Sequence, residues 1–126
     1  SSFSGEEETE GCRDFDRKFK VNGTVNTVAW ASNDKYLAIG VSTKDGKGWT
    51  GIIEVARKEM VMVKKFASDG GVHSVSWSCP GDKFLAVGIS TEDGKGPGWA
   101  EIIDWEEASG TVRKKIEAGG AVYSVK

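Results

Sequence analysis

The chain contains an internal repeat, and this repeat constrains its fold more than any other feature of the sequence. Residues 19–65 align with residues 66–115, with 21 identical positions among the 47 of the first unit. The second unit adds Gly81 in one turn and Pro97-Gly98 in another. Insertions confined to turns are typical of repeated structural units, because connecting segments tolerate added residues that regular elements do not. The sequence therefore predicts two copies of one supersecondary unit.

The repeat continues beyond both units. Residues 14–19 (DFDRKF) match the end of the first unit, and residues 116–125 (IEAGGAVYSV) match the start of the second. Five segments follow from this match: an acidic lead-in (1–12), an outer strand of a preceding unit (13–18), the first unit (19–65), the second unit (66–115) and the start of a third (116–126).

Within each unit the apolar residues recur with a period of two, which is typical of β-strands. Four such segments occur in the first unit (VNTVAW, YLAIGVS, WTGIIEV and MVMVKKF) and four in the second (VHSVSW, FLAVGIS, WAEIIDW and TVRKKI). Turn-forming residues separate them at Asn33-Asp34, Pro80-Gly81-Asp82, two DGKG loops and Ser109-Gly110. No segment offers ten residues of helical periodicity. We therefore predict an all-β fold with four antiparallel strands in each unit, and a core that includes Trp30, Trp77 and the paired isoleucines 52–53 and 102–103.

The second unit, VHSVSWSCPGDKFLAVGIS followed by WAEIIDWEEASGTVRKKI, resembles a blade of the WD-repeat β-propeller family. Trp105-Glu106 stands at the position of the Trp-Asp pair of that family, whereas the first unit has Val55-Ala56 there. The Gly-His pair that the family places before its first strand is absent, with Ala67-Ser68 in its place. The resemblance implies propeller blades of four antiparallel strands and a role in protein–protein interaction.

One such sheet cannot bury both of its faces alone, so blades pack against neighbours around an axis, typically about four to eight of them. Two blades are too few to close a ring. Either the chain belongs to a larger propeller, or several copies complete one as a homo-oligomer with cyclic symmetry.

Charge and cysteine content exclude several classes of protein. The net charge is −2, and the four glutamates within residues 1–12 leave a body of about +2 with both signs interspersed, which is not the basic face that nucleic acid requires. The longest apolar runs of four to six residues are too short to span a bilayer, and the polar N-terminus does not resemble a signal peptide. Cys12 and Cys79 form neither a disulfide framework nor a metal-binding spacing. A cytoplasmic protein is expected.

The two DGKG loops are the candidate sites for partner binding. We expect a repeated face formed by one set of loop residues from each unit: Lys44, Asp45, Lys47 and Trp49 in the first, and Glu92, Asp93, Lys95 and Trp99 in the second. Glycines allow close approach of a partner, tryptophan supplies contact area and the charges supply orientation. The alternative is that these loops are hairpin connections whose tryptophans cover the sheet.

No residue pattern predicts chemistry. The GKG triplets lack the spacing of a phosphate-binding loop, and their aspartates lack the further carboxylates of a calcium loop. His73 is the only histidine, and nothing in the sequence places an acid or a nucleophile beside it. The paired basic residues of the outer strand (Lys64-Lys65, for example) are explained by protection of a sheet edge. We expect no catalytic residue, no metal and no cofactor.

Three functions remain open at this point. The first is a non-enzymatic interaction scaffold that self-assembles into a ring or belongs to a larger propeller. The second is a lectin-like propeller that binds a glycan or small ligand through Trp49 and Trp99. The third is an engineered or excised propeller fragment whose role is assembly.

Overall fold

A computed structural model of the chain describes residues 18–56, 58–91, 97–106 and 112–117. These residues form eight β-strands: β1 (Thr24–Trp30), β2 (Tyr36–Ser42), β3 (Gly48–Val55), β4 (Met60–Ser68), β5 (Gly71–Trp77), β6 (Phe84–Ser90), β7 (Trp99–Asp104) and β8 (Val112–Glu117). The predicted all-β fold is confirmed. The acidic lead-in, nearly all of the predicted preceding strand, the turn at Ser109-Gly110 and most of the third-unit start lie outside the described residues.

The strands form two antiparallel four-stranded sheets, each in the order of the chain. We call β1–β4 sheet 1 and β5–β8 sheet 2. The strands β2 and β6 are almost entirely apolar and have a neighbouring strand on both edges, and β2 also contributes to an apolar cluster on each of its faces. Strand β4 runs three residues past Lys65, so the first sheet ends beyond the boundary between the two sequence units.

Both sheets have the same strand register. Val28 pairs with Ile39 in sheet 1 just as Val75 pairs with Val87 in sheet 2. The register shifts once in the first hairpin of each sheet, at the positions of Asn26 and His73, and once between the third and fourth strands of each sheet. The sequence repeat is therefore a repeat of pairing and of bulges, as well as of strands.

The two sheets pack face to face, and we call their contact the seam. Strand β5 lies against β1, β2 and β3 of sheet 1. Sheet 1 contributes the fully buried Ala38 and Ile52 to the seam, together with the partly buried Ala29, Tyr36 and Phe66. Sheet 2 contributes a larger set of buried apolar residues: Val72, Val75, Leu85, Val87, Ile89, Ile103 and Trp105. Gly40 allows a close approach of the two sheets, because a Cβ at that position would stand 2.6 Å from the Val72 side chain.

Hydrogen bonds fix the seam at its Trp-rich end. The Trp77 indole N–H donates to the Ala29 carbonyl across 2.9 Å. The Asp82 carboxylate accepts from both the Ser32 amide (3.0 Å) and the Ser32 hydroxyl (2.6 Å). Asp82 has a φ of 54°, a left-handed conformation that aspartate tolerates better than most residues. These bonds join the first turn of one unit to the first turn of the next.

Trp105 completes this end of the seam. Its indole N–H donates to the Asp82 carbonyl across 2.6 Å, and only 8% of the residue is exposed. Its ring meets Tyr36 and Trp77 edge to face, with centroids 5.0 and 5.5 Å away. This tryptophan, from the position that resembles the Trp-Asp pair, therefore packs at the junction of both sheets.

The opposite face of sheet 1 carries a second apolar cluster. Ile39, Val41, Trp49 and Ile53 are buried there, and Phe19 and Val21 pack against them from the segment before β1. The part of the chain that the structure describes contains no helical segment with the length and apolarity of a membrane span.

Candidate functional site

The first predicted loop is a tight turn between β2 and β3. The Thr43 amide donates to the Lys47 carbonyl (2.9 Å), and the Gly46 amide donates to the Thr43 carbonyl (3.1 Å). Gly46 has a φ of 85°, which a residue with a side chain adopts only at a cost. The turn is thus closed by its own backbone.

The Asp45 carboxylate stabilises this turn. One carboxylate oxygen accepts from the Thr43 hydroxyl and from the Lys47 amide, the pattern of an Asx turn. The Thr43 hydrogen bond, then the Lys47 amide and the Lys47 charge, hold the pKa of Asp45 below its ordinary value of 3.8. The predicted recognition residue therefore stabilises the loop that carries it, while Lys44 lies on the exposed side of the same turn.

Beside this turn lies an open depression lined by two segments of sheet 1. Its walls are Asn22, Gly23, Thr24, Ser42, Thr43 and Lys44. The structure therefore brings the turn before β1 and the turn after β2 to the same end of the sheet. Asn26 also lies at this end, where its amide donates to the Ser42 hydroxyl (2.7 Å) and to the Val72 carbonyl (3.0 Å).

Neither of the two predicted tryptophans projects from its loop into solvent. Trp49 is only 6% exposed because it lies within β3 and packs on the second apolar cluster. The Lys65 ammonium stands 4.4 Å from the centre of its ring. Trp99 is partly buried, packs at the seam and donates from its indole N–H to Glu101 (2.7 Å). Glu92, Asp93 and Lys95 lie outside the described residues.

His73 is held against Ser90. The His73 Nε2 atom and the Ser90 hydroxyl are 2.7 Å apart. Asn26 makes the equivalent bond to Ser42 in sheet 1. The contact therefore recurs at the bulge of each first hairpin, with a histidine in sheet 2 and an asparagine in sheet 1. Among the described residues, no group of three or more histidine, cysteine or carboxylate side chains is placed to hold a metal ion.

An exposed apolar surface on β1 was missed by the sequence prediction. Val25, Val28 and Trp30 are 44%, 57% and 48% exposed. The prediction that both Trp30 and Trp77 are core residues is wrong for Trp30, because no sheet within the described ranges covers it as sheet 1 covers Trp77. We call Val25, Val28 and Trp30 the β1 patch. Large apolar side chains grouped on an open face are typical of protein interaction sites.

The search for related proteins gives no basis for a family assignment. Comparisons of the chain with protein-family models, with curated proteins and with solved structures find no match. The candidate site therefore depends on the geometry of the β1 patch and of the turn at residues 43–47 alone.

Proposed function

We propose that the chain is a non-enzymatic protein–protein interaction scaffold built from WD-repeat-like propeller blades. In this proposal it is cytoplasmic and binds protein partners, and its sheets associate through blade packing. The observation that carries the proposal is the β1 patch. Three large apolar side chains stand close to half-exposed on one strand, where a sheet of this kind normally has a neighbour.

The energetic argument concerns the area of this surface. Burying a valine or leucine side chain fully contributes about 1.5–3 kcal/mol, and tryptophan is among the residues that contribute most to binding. The β1 patch adjoins the second apolar cluster through the β1–β2 register, in which Val28 pairs with Ile39. A partner that covered the β1 patch would therefore extend an existing core instead of making an isolated contact.

The turn at residues 43–47 has a supporting role in this proposal. Its backbone hydrogen bonds and the hydrogen-bonded Asp45 carboxylate keep the turn rigid. Binding of a partner therefore costs little conformational entropy in this turn. Lys44 supplies a charge at the edge of the open depression. Such charged residues at a rim influence the rate and orientation of association more than the affinity.

The test is the mass of the full chain in solution, measured by light scattering on a sizing column over a wide range of concentration. We expect a mass that exceeds the 13.5 kDa of one chain and that falls on dilution. A mass of 13.5 kDa at every concentration would refute association through blade packing.

A further inference from the structure

On the outer face of sheet 1, several residues are exposed whose equivalents in sheet 2 are buried in the seam. Val25 and Val72 occupy equivalent positions in the repeat, yet Val25 is 44% exposed and Val72 is 0% exposed. Val28 is 57% exposed, whereas its counterpart Val75 is 7% exposed. The apolar pattern and the register are the same, so the difference comes from sheet 1, which covers β5, whereas no sheet among the described residues covers the outer face of β1.

The tryptophans of the two strands show the same difference. Trp77 packs on the seam core and donates its indole N–H to the Ala29 carbonyl of sheet 1. Trp30 is at the equivalent register position, opposite Leu37 as Trp77 is opposite Leu85, and it is 48% exposed.

The rest of the outer face of sheet 1 also has the apolar residues that sheet 2 has at the seam. Ile39, Val41 and Ile53 of the second apolar cluster are the counterparts of Val87, Ile89 and Ile103 at the seam. Phe19 packs on that cluster as its counterpart Phe66 packs on the seam core. The outer face of sheet 1 thus repeats the composition of the face that sheet 2 turns toward sheet 1.

The complementary surface exists on sheet 2 of the same chain. At the seam, sheet 1 contributes Tyr36 and Phe66 and three further residues, Ala29, Ala38 and Ile52. The counterparts of these three on the outer face of sheet 2 are Ser76, Ala86 and Ile102, small or apolar side chains that are only partly buried. Ala38 and Ile52 are 0% exposed by contrast, because sheet 2 covers them.

We propose that a second copy of this chain docks head to tail, with the outer face of sheet 2 of one copy on the outer face of sheet 1 of the next. This inference rests on the proposed function and names its partner and both surfaces. The docked copies repeat the seam, and the Trp30 indole N–H donates to the Ser76 carbonyl of the second copy as Trp77 donates to Ala29. A heterologous contact of this kind leaves one face of each type free, so further copies add until a ring closes.

The experiment uses two variants of the full chain that block one face each. Val28→Asp places a charge in the β1 patch, and Ala86→Glu places one on the outer face of sheet 2. Val28 is exposed and Ala86 is partly exposed in the single chain, so we expect each variant to fold, which far-UV circular dichroism and thermal unfolding verify. Val61→Asp is the matched control, because Val61 is 44% exposed on β4 and lies outside both faces.

We expect each blocked variant alone to remain at 13.5 kDa, and Val61→Asp to assemble like the unmodified chain. In an equimolar mixture of the two blocked variants, Val28→Asp keeps an intact outer face of sheet 2 and Ala86→Glu keeps an intact outer face of sheet 1. The mixture therefore forms a complex of two chains and no larger, detected by light scattering. Trp30→Phe, which keeps an aromatic ring but loses the indole N–H, weakens association about tenfold.

Three results would overturn this inference. If Ala86→Glu assembles normally while Val28→Asp does not, the chains associate through sheet 1 alone, and the proposed function survives without the head-to-tail contact. If the mixture of the two variants stays at the mass of one chain, the two faces are not complementary. If the unmodified chain is a monomer at every concentration, another segment or another protein covers the β1 patch, and a second copy is not the partner.

Discussion

Trp105→Ala tests whether the seam holds the two sheets together. Trp105 is 8% exposed and contacts both sheets through Tyr36 and Trp77. Truncating a buried tryptophan to alanine costs about 3–5 kcal/mol, since the lost transfer free energy adds to the cavity left behind. The Asp82 carbonyl also loses its indole donor. We expect a loss of about 4 kcal/mol from a free energy of unfolding of about 5–15 kcal/mol.

A conservative variant separates the hydrogen bond from the packing. Trp105→Phe keeps an aromatic ring between Tyr36 and Trp77 but removes the indole N–H. The Asp82 carbonyl is then left without its donor, which costs about 1–3 kcal/mol. We therefore expect the phenylalanine variant to lie between the unmodified chain and the alanine variant in its free energy of unfolding.

Trp30→Ala is the matched control for this series, because Trp30 is a tryptophan that the seam does not bury. With 48% of the residue exposed, its truncation removes less buried area, and we expect a loss below about 2 kcal/mol. The assay is urea unfolding followed by far-UV circular dichroism, at a concentration where all variants have the same mass. Equal losses for Trp30→Ala and Trp105→Ala, or a loss below about 1 kcal/mol for Trp105→Ala, would refute the assignment of the seam as the main core.

Three further predictions concern single polar groups. Asp82→Ala removes the acceptor of both Ser32 bonds and places alanine at a left-handed φ, so urea unfolding should show a loss of about 2–4 kcal/mol; a double-mutant cycle with Ser32→Ala that gives no coupling would contradict the bonding. The Thr50 hydroxyl is buried and has no hydrogen-bond partner among the described residues, so Thr50→Val should raise the free energy of unfolding by about 1 kcal/mol, and a loss would show that the hydroxyl is satisfied. Thr43→Val should raise the pKa of Asp45 toward 3.8 in a carboxyl NMR titration, and an unchanged pKa in the variant would contradict the Thr43 bond. Since that pKa is depressed in the folded chain, the ionised Asp45 carboxylate contributes to stability above the unfolded pKa, and this contribution is lost as the pH falls below about 4.

Much of the fold was predictable because strand periodicity and turn residues are local properties. The segment YLAIGVS coincides with β2 and FLAVGIS with β6. The register of each hairpin follows from short turns whose residues are visible in the sequence, such as Thr43 to Lys47. The bulges at Asn26 and His73 were not predicted, although the sequence carries their mark: the two valines of each first strand are three residues apart, and they share a face only because one residue between them is extra.

The candidate site was less predictable because a loop residue has several possible uses. Asp45 remains a predicted partner contact, and the structure adds that its carboxylate closes the turn through Thr43 and Lys47. The sequence Thr-Lys-Asp-Gly-Lys contains this information, since an aspartate before glycine commonly accepts a backbone amide two residues later. For Trp49 the sequence left open a partner contact or a ring that covers the sheet; it is the second residue of β3 and shares a face with Ile53 by alternation.

The difference between Trp30 and Trp77 could not be predicted from either unit alone. Both follow the same local pattern and pair with a leucine in the same register. Their exposure differs because burial in a repeat structure is set by the neighbouring unit, and the stability of such a structure is approximately a sum of unit terms and interface terms. The chain contains one seam between its two described sheets, and so one of the two tryptophans receives a neighbour from within the described residues. The covered tryptophan therefore indicates what the exposed one requires: a sheet face like the seam face of sheet 1, with a backbone carbonyl within reach of its indole N–H.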